Sequence, residues 1–243
     1  EGRYKGSLFG VFWSVLTPLL MVSVFTFVFG EIFQSKWAGA KSANRLDFAA
    51  ALFAGLLVYN LFAECIGKAP FLITSNPNYV KKIVFPLEVL SVVTVLAALF
   101  HFLVAYIVVI LLVIFSGWSL AWTVLLTPLV IAPLLMLVMG LTWAISALGV
   151  FLRDIGQIIT PALTALMFLS PIFYPLSSVG PRFHWLYQLN PLTQVVENLR
   201  GVLLHQQLPD WRSWLVYSLI CAFVMALGFI FFQKTRKGFS DVI

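Results

Sequence analysis

The sequence predicts an all-α integral membrane protein. It has six transmembrane helices, a cytoplasmic helix between spans 2 and 3, and a re-entrant or interfacial outer segment between spans 5 and 6. Three observations predict it. Of 243 residues, 61% are hydrophobic and 10% charged, where a soluble domain is about a quarter charged. Apolar runs recur at lengths near the ~20 residues a helix needs to cross a bilayer. No period-two alternation or fixed-period repeat competes with them. Backbone groups in lipid must be satisfied within each segment, which favours helices over open strands.

The runs cover residues 6–33, 47–72, 87–115, 120–151, 155–173 and 213–233, making one transmembrane domain over 1–243. The first is much longer than a signal-peptide core and has no small-x-small site at its end, so it reads as a retained span. The chain starts at Glu1 rather than Met, so further N-terminal sequence is expected before it. The fifth run is short and is bounded by Pro171 and Pro175.

Placing both termini in the cytoplasm puts Arg3, Lys5, Lys68, Lys81, Lys82, Arg153, Lys234, Arg236 and Lys237 inside. Lys36, Lys41, Arg45, Arg182, Arg200 and Arg212 fall outside, spread over longer loops, which agrees with the positive-inside bias. Trp37, Trp118, Trp122, Trp185, Tyr187, Trp211 and Trp214 gather at the expected outer boundary, where amphipathic rings settle at headgroup level. The net charge of +6 is scattered between spans, which argues against a nucleic-acid partner. Cys65 and Cys221 lie inside apolar runs and read as small buried hydrophobes, not a disulfide framework.

Between spans 2 and 3 runs "SNPNYVKKIVFP". Asn76-Pro77 is a helix start signal, and Pro86 stops the segment. The intervening residues allow about two turns. Tyr79, Val80, Ile83 and Val84 share one face, Lys81 and Lys82 point away, and Phe85 closes the turn. Spacing alone leaves two readings open: an interfacial helix whose lysines meet anionic lipid, or a docking element for a soluble partner. Arg153 and Asp154, nearly alone in the other inner loop, read first as a helix-end pair snorkelling to the interface, and otherwise as a docking contact.

Between spans 5 and 6, "LNPLTQVVENLRGVLL" repeats the start signal with Asn190-Pro191. Leu192, Val195, Val196, Leu199, Val202 and Leu203 follow at helical spacing. Glu197 and Arg200 are expected as an exposed pair worth a few tenths of a kcal/mol. The helix is expected to lie in or dip into the outer interface.

These segments carry a resemblance. "RYKGSLFGVFWSVLTPLLMVSVFTFVFGEIF", "NPNYVKKIVFPLEVLSVV" and the stretch from "VFLRDIGQ" to "LRGVLL" resemble, in order, ABC-2-type polysaccharide-export permeases. They are most similar to the Wzm-type O-antigen transporter transmembrane subunit, with capsule and teichoic-acid permeases as relatives. The resemblance implies a homodimer with one channel between protomers. It also implies a separate cytoplasmic ATPase pair that binds ATP and Mg, and an undecaprenyl-linked polysaccharide cargo. Its location would be the bacterial cytoplasmic (inner) membrane. It implies an ATPase-coupling role for Asn76, Pro77, Tyr79, Val80, Lys81, Lys82, Ile83 and Phe85, with Arg153 and Asp154 beside them. Independently, Gly67-Lys68 is followed by Ala69 and lacks the upstream glycine of a P-loop, so no nucleotide site or other cofactor is expected in this chain.

Aromatic rings suit a sugar path because they offer flat, low-entropy surfaces for C–H faces. The candidates are Phe25, Phe29 and Phe33 along the first span, Tyr59 and Phe62 on the second, and Phe168, Phe173 and Tyr174 near the re-entrant turn. Each could instead face lipid or pack internally. Glu64 and Lys68, four apart, should pair on one helix face. His101, His184 and His205 stand singly, so no metal site is expected. Two other classes fit less well. A membrane-embedded lipid-carrier transferase needs clustered carboxylates or a histidine beside a nucleophile. A secondary transporter needs related halves.

Overall fold

A computed structural model describes residues 16, 19–21, 23, 24, 27, 28, 45–81, 85–115, 121–176 and 179–242. The described residues are mostly helical, with no strand among them. Helix α1 spans Arg45–Lys68 and continues as a 3-10 turn, Ala69–Phe71. The short α2 is Pro77–Lys81 and α3 is Glu88–Phe115. A 3-10 turn, Trp122–Leu126, leads into α4, Thr127–Phe151, and α5 is Ile155–Leu169. Helices α6 (His184–Leu189) and α7 (Thr193–Arg200) follow, then α8 (Trp211–Thr235) and α9 (Phe239–Val242).

Four helical stretches are long and apolar enough to cross a membrane: Phe48–Phe71, Glu88–Phe115, Trp122–Phe151 and Trp211–Gly238. They match the second, third, fourth and sixth expected spans to within a few residues. The fifth, α5, is apolar but shorter, ending at Leu169 just before Pro171. Most of the first expected span lies outside the described residues.

The chain divides into two compact units. The first holds Glu1–Tyr59, Phe100–Thr127 and Phe168–Leu208. Its centre is the apolar face of α7. Leu192, Val195, Val196, Leu199, Val202 and Leu203 are all 0–2% exposed. That face is therefore covered by protein and is not left for lipid, unlike the surface helix the spacing suggested. The Thr123 hydroxyl donates to the Val202 carbonyl at 2.7 Å, fixing the turn of π-helix (Gly201–His205) that extends α7. The chain leaves that turn at Gln206 in the left-handed region, φ 56°.

Asn190 does its work earlier than a cap at Pro191 would. Helix α7 starts at Thr193, and the Asn190 side-chain oxygen accepts the Leu192 N–H at 2.9 Å, an Asx turn. Its amide nitrogen donates to the Leu169 carbonyl and the Ser170 hydroxyl, tying the end of α5 to the start of α7.

The second unit holds Asn60–Leu99, Pro128–Met167 and Pro209–Ile243. Its core joins Ile73, Leu87, Ala147, Val150, Phe232 and Phe239, with Phe85, Leu90 and Trp143 packed against it. Helices α4 and α8 cross with backbones nearly touching at Gly140 and Gly228. A Cβ on Gly140 would sit 2.5 Å from the Met225 Cα, and one on Gly228 would fall on the Gly140 carbonyl oxygen. Small residues permit such approach between membrane helices. Helix α8 starts at the Asp210 carboxylate, which accepts the Arg212 N–H.

Candidate functional site: the α2 turn and its cleft

The turn before α2 is built from backbone bonds of Ser75 to Phe71 and Asn76 to Ile73. The Asn76 carbonyl accepts the Tyr79 N–H, so helix α2 starts where the sequence placed it. Its side chain does not cap that helix: Nδ2 donates back to the Leu72 carbonyl at 2.9 Å and closes the preceding turn. Ile73 and Leu87, buried on either side of the segment, pin it to the core. Between these anchors, Pro77, Asn78 and Tyr79 are exposed, and the Tyr79 ring lies 4.9 Å from the ring of half-buried Phe85. The side chains of Val80 and Lys81, and residues Lys82, Ile83 and Val84, lie outside the described residues.

Two supports hold this turn. Helix α9 packs on α2. Its Phe239 is fully buried, with rings of Phe232 and Phe151 at 5.5 and 5.9 Å. Glu88, opening α3, pairs with Arg236 at 2.9 Å while its carbonyl accepts the Trp143 indole N–H. On α1, Glu64 and Lys68 form the expected pair at 2.7 Å.

A cleft of about 430 Å³ opens beside α2, lined by Pro70, Phe71, Thr74, Pro77, Gly149, Val150, Arg153 and Val242. It brings together two sequence-predicted elements 76 positions apart, Pro77 and Arg153. Arg153 and Asp154 are both exposed.

The aromatic candidates are placed as follows. Phe25, Phe29 and Phe33 lie outside the described residues. Phe62 is buried and Tyr59 half-buried. Phe168 is exposed, 5.8 Å from the buried ring of Phe173. The Tyr174 hydroxyl donates to the Phe168 carbonyl at 2.9 Å. Its single proton is thereby used, so the 2.7 Å bond to Tyr187 is donated by Tyr187. Tyr174 thus fastens the turn after α5.

Sequence reasoning missed the role of Arg200. It is 2% exposed, not a surface residue. Its Nε donates to the Ala51 carbonyl at 2.9 Å, Nη1 to Pro171 and Nη2 to Ile172 at 2.8 Å. Glu197 accepts a fourth bond at 3.1 Å. Burial pulls the guanidinium down to about 10, opposed by the Glu197 carboxylate, so it stays charged at neutral pH. The i, i+3 spacing to Glu197 suggested a solvent pair. The available signal was different: an arginine flanked by Leu199 and Val202 on an apolar face.

Known proteins resemble this chain along its length. The ABC-2 type transporter family matches residues 2–204. An O-antigen export system permease protein RfbA of Myxococcus xanthus is 25% identical over 245 residues, covering 100% of this chain and 91% of that one. A protein of the same name from Klebsiella pneumoniae is 27% identical over 244 residues, covering 99% and 90%. With four apolar helical stretches long enough to cross a membrane among the described residues, a short helix between the first two of them and a family match over most of its length, the chain belongs to the ABC-2 type transporter family.

Proposed function

We propose that this chain is the channel-forming transmembrane subunit of an ATP-driven exporter. It moves an undecaprenyl-linked, O-antigen-like polysaccharide across the bacterial cytoplasmic membrane. The observation that carries this reading is end-to-end similarity to relatives named O-antigen export system permease. Teichoic acid, capsule, lipid or drug are the alternative cargoes within the same family.

In this reading six spans cross the membrane with both termini cytoplasmic, and two copies enclose one channel. A separate ATPase pair binds ATP and Mg. The segment around helix α2, with Asn76, Pro77, Tyr79, Val80, Lys81, Lys82, Ile83 and Phe85, docks on that ATPase, and Arg153 and Asp154 form the edge of the contact. The support is geometric: α2 is held rigidly by buried anchors while presenting Pro77, Asn78 and Tyr79 outward. The segment after α5 forms the outer mouth. Exposed Phe183, Trp185 and Leu189 suit a headgroup-level interface there. Phe25, Phe29 and Phe33 of the first span, with Tyr59, Phe168 and Tyr174, offer the sugar many weak contacts, which lets a polymer move without stalling; Phe62 and Phe173 are buried and pack internally instead.

Deleting the gene should trap lipid-linked polysaccharide on the cytoplasmic side, and the intact chain should restore surface polymer. Unchanged surface polysaccharide in the deletion strain would rule out this cargo.

A further inference from the structure

We infer that the cleft beside α2 binds the phosphate of an anionic phospholipid from the cytoplasmic leaflet, with Arg153 as its cationic partner. The leaflet rests on the orientation proposed above, but the binding does not. Three apolar helical stretches meet at this cleft: Phe48–Phe71 ends there, α4 stops at Phe151, and α5 begins at Ile155. It therefore sits where hydrocarbon gives way to headgroups.

The lining has two characters. Arg153 is exposed and forms no ion pair with any carboxylate among the described residues, neighbouring Asp154 included. Phe71 in the lining is exposed, as are Phe151 and Leu152 immediately before Arg153 in the chain, giving an apolar edge along which acyl chains can run. A volume of about 430 Å³ is ample for a phosphate and its glycerol. An anionic lipid supplies a net negative charge to the guanidinium, where a zwitterionic one brings a competing ammonium. The Asp154 carboxylate opposes the anion and sets an upper limit on affinity. Because Pro77 shares the lining, a bound lipid touches the base of α2.

The test is native mass spectrometry of the full-length chain purified in detergent, titrated with phosphatidylglycerol, phosphatidylcholine or inorganic phosphate. Phosphatidylglycerol should bind about fivefold more tightly than phosphatidylcholine. Arg153→Gln should remove that preference, Arg153→Lys should keep most of it, and Asp154→Asn should increase it. Inorganic phosphate should not compete. Equal binding of the two lipids overturns the inference, as does a preference that survives Arg153→Gln in a protein with an unchanged circular dichroism spectrum. Displacement by inorganic phosphate also overturns it, indicating a site for a free anion. If Arg153→Gln loses the co-purifying ATPase yet keeps the lipid preference, the lipid site is wrong and the docking reading stands.

Discussion

Arg200 concentrates the polar chemistry of the first unit in one side chain. Three backbone carbonyls, of Ala51, Pro171 and Ile172, rely on its guanidinium. Arg200→Ala leaves all three without that donor and should cost about 3 kcal/mol or more. Arg200→Lys should recover only part, because a point-charge ammonium cannot serve acceptors spread around a planar fork. Thermal unfolding of the detergent-purified variants checks both. Gly55→Val should show the same loss, since a Cβ there would sit 2.9 Å from the Arg200 Nη2 and 3.3 Å from the Ile172 Cα. The sequence reading makes Arg200 half of an exposed pair and misses its burial, although Leu199 and Val202 beside it are apolar. Its partners were not legible either, because two carbonyls come from the turn at Pro171 and the third from α1, up to 149 positions away. The Glu64–Lys68 pair, four residues apart on one helix, needed no such long-range knowledge.

At the scale of elements, hydropathy located four long spans to within a few residues, because the bilayer fixes their length. It could not show how they cross. Gly140 and Gly228 lie in apolar runs with no local sign of a crossing, and a side chain on either would meet the opposite backbone. Gly228→Ala should separate α4 from α8 and lower stability by about 1–3 kcal/mol, read as a drop in unfolding midpoint. The start of α2 was legible from Asn76-Pro77, although the Asn76 side chain turned out to bond backwards. Its supports were not legible: α9 and Phe239 come from the far end of the sequence. Phe239→Ala should loosen α2, seen as faster amide exchange over residues 76–80 with slower change in α4, and should cost about 3–5 kcal/mol. Reversing Lys81 and Lys82 to Glu should weaken co-purification of the ATPase while leaving permease yield unchanged. Undiminished recovery of the ATPase would exclude a basic docking contact.

For the whole molecule, composition set the class: a chain 61% hydrophobic and 10% charged is built for lipid. The family match over residues 2–204 agrees with that reading. What such a chain moves is a matter of its surfaces, and the path candidates of the first span, Phe25, Phe29 and Phe33, lie outside the described residues. The central claim is that this subunit and its ATPase carry a lipid-linked polysaccharide across a bilayer at the expense of ATP. The most direct measurement reconstitutes both subunits in vesicles with labelled undecaprenyl-linked polysaccharide and follows its transbilayer movement. The account predicts movement that requires ATP and is lost when Lys81 and Lys82 are both changed to Glu. Movement that ignores ATP, or none with a complex that hydrolyses ATP and holds the cargo, would contradict it.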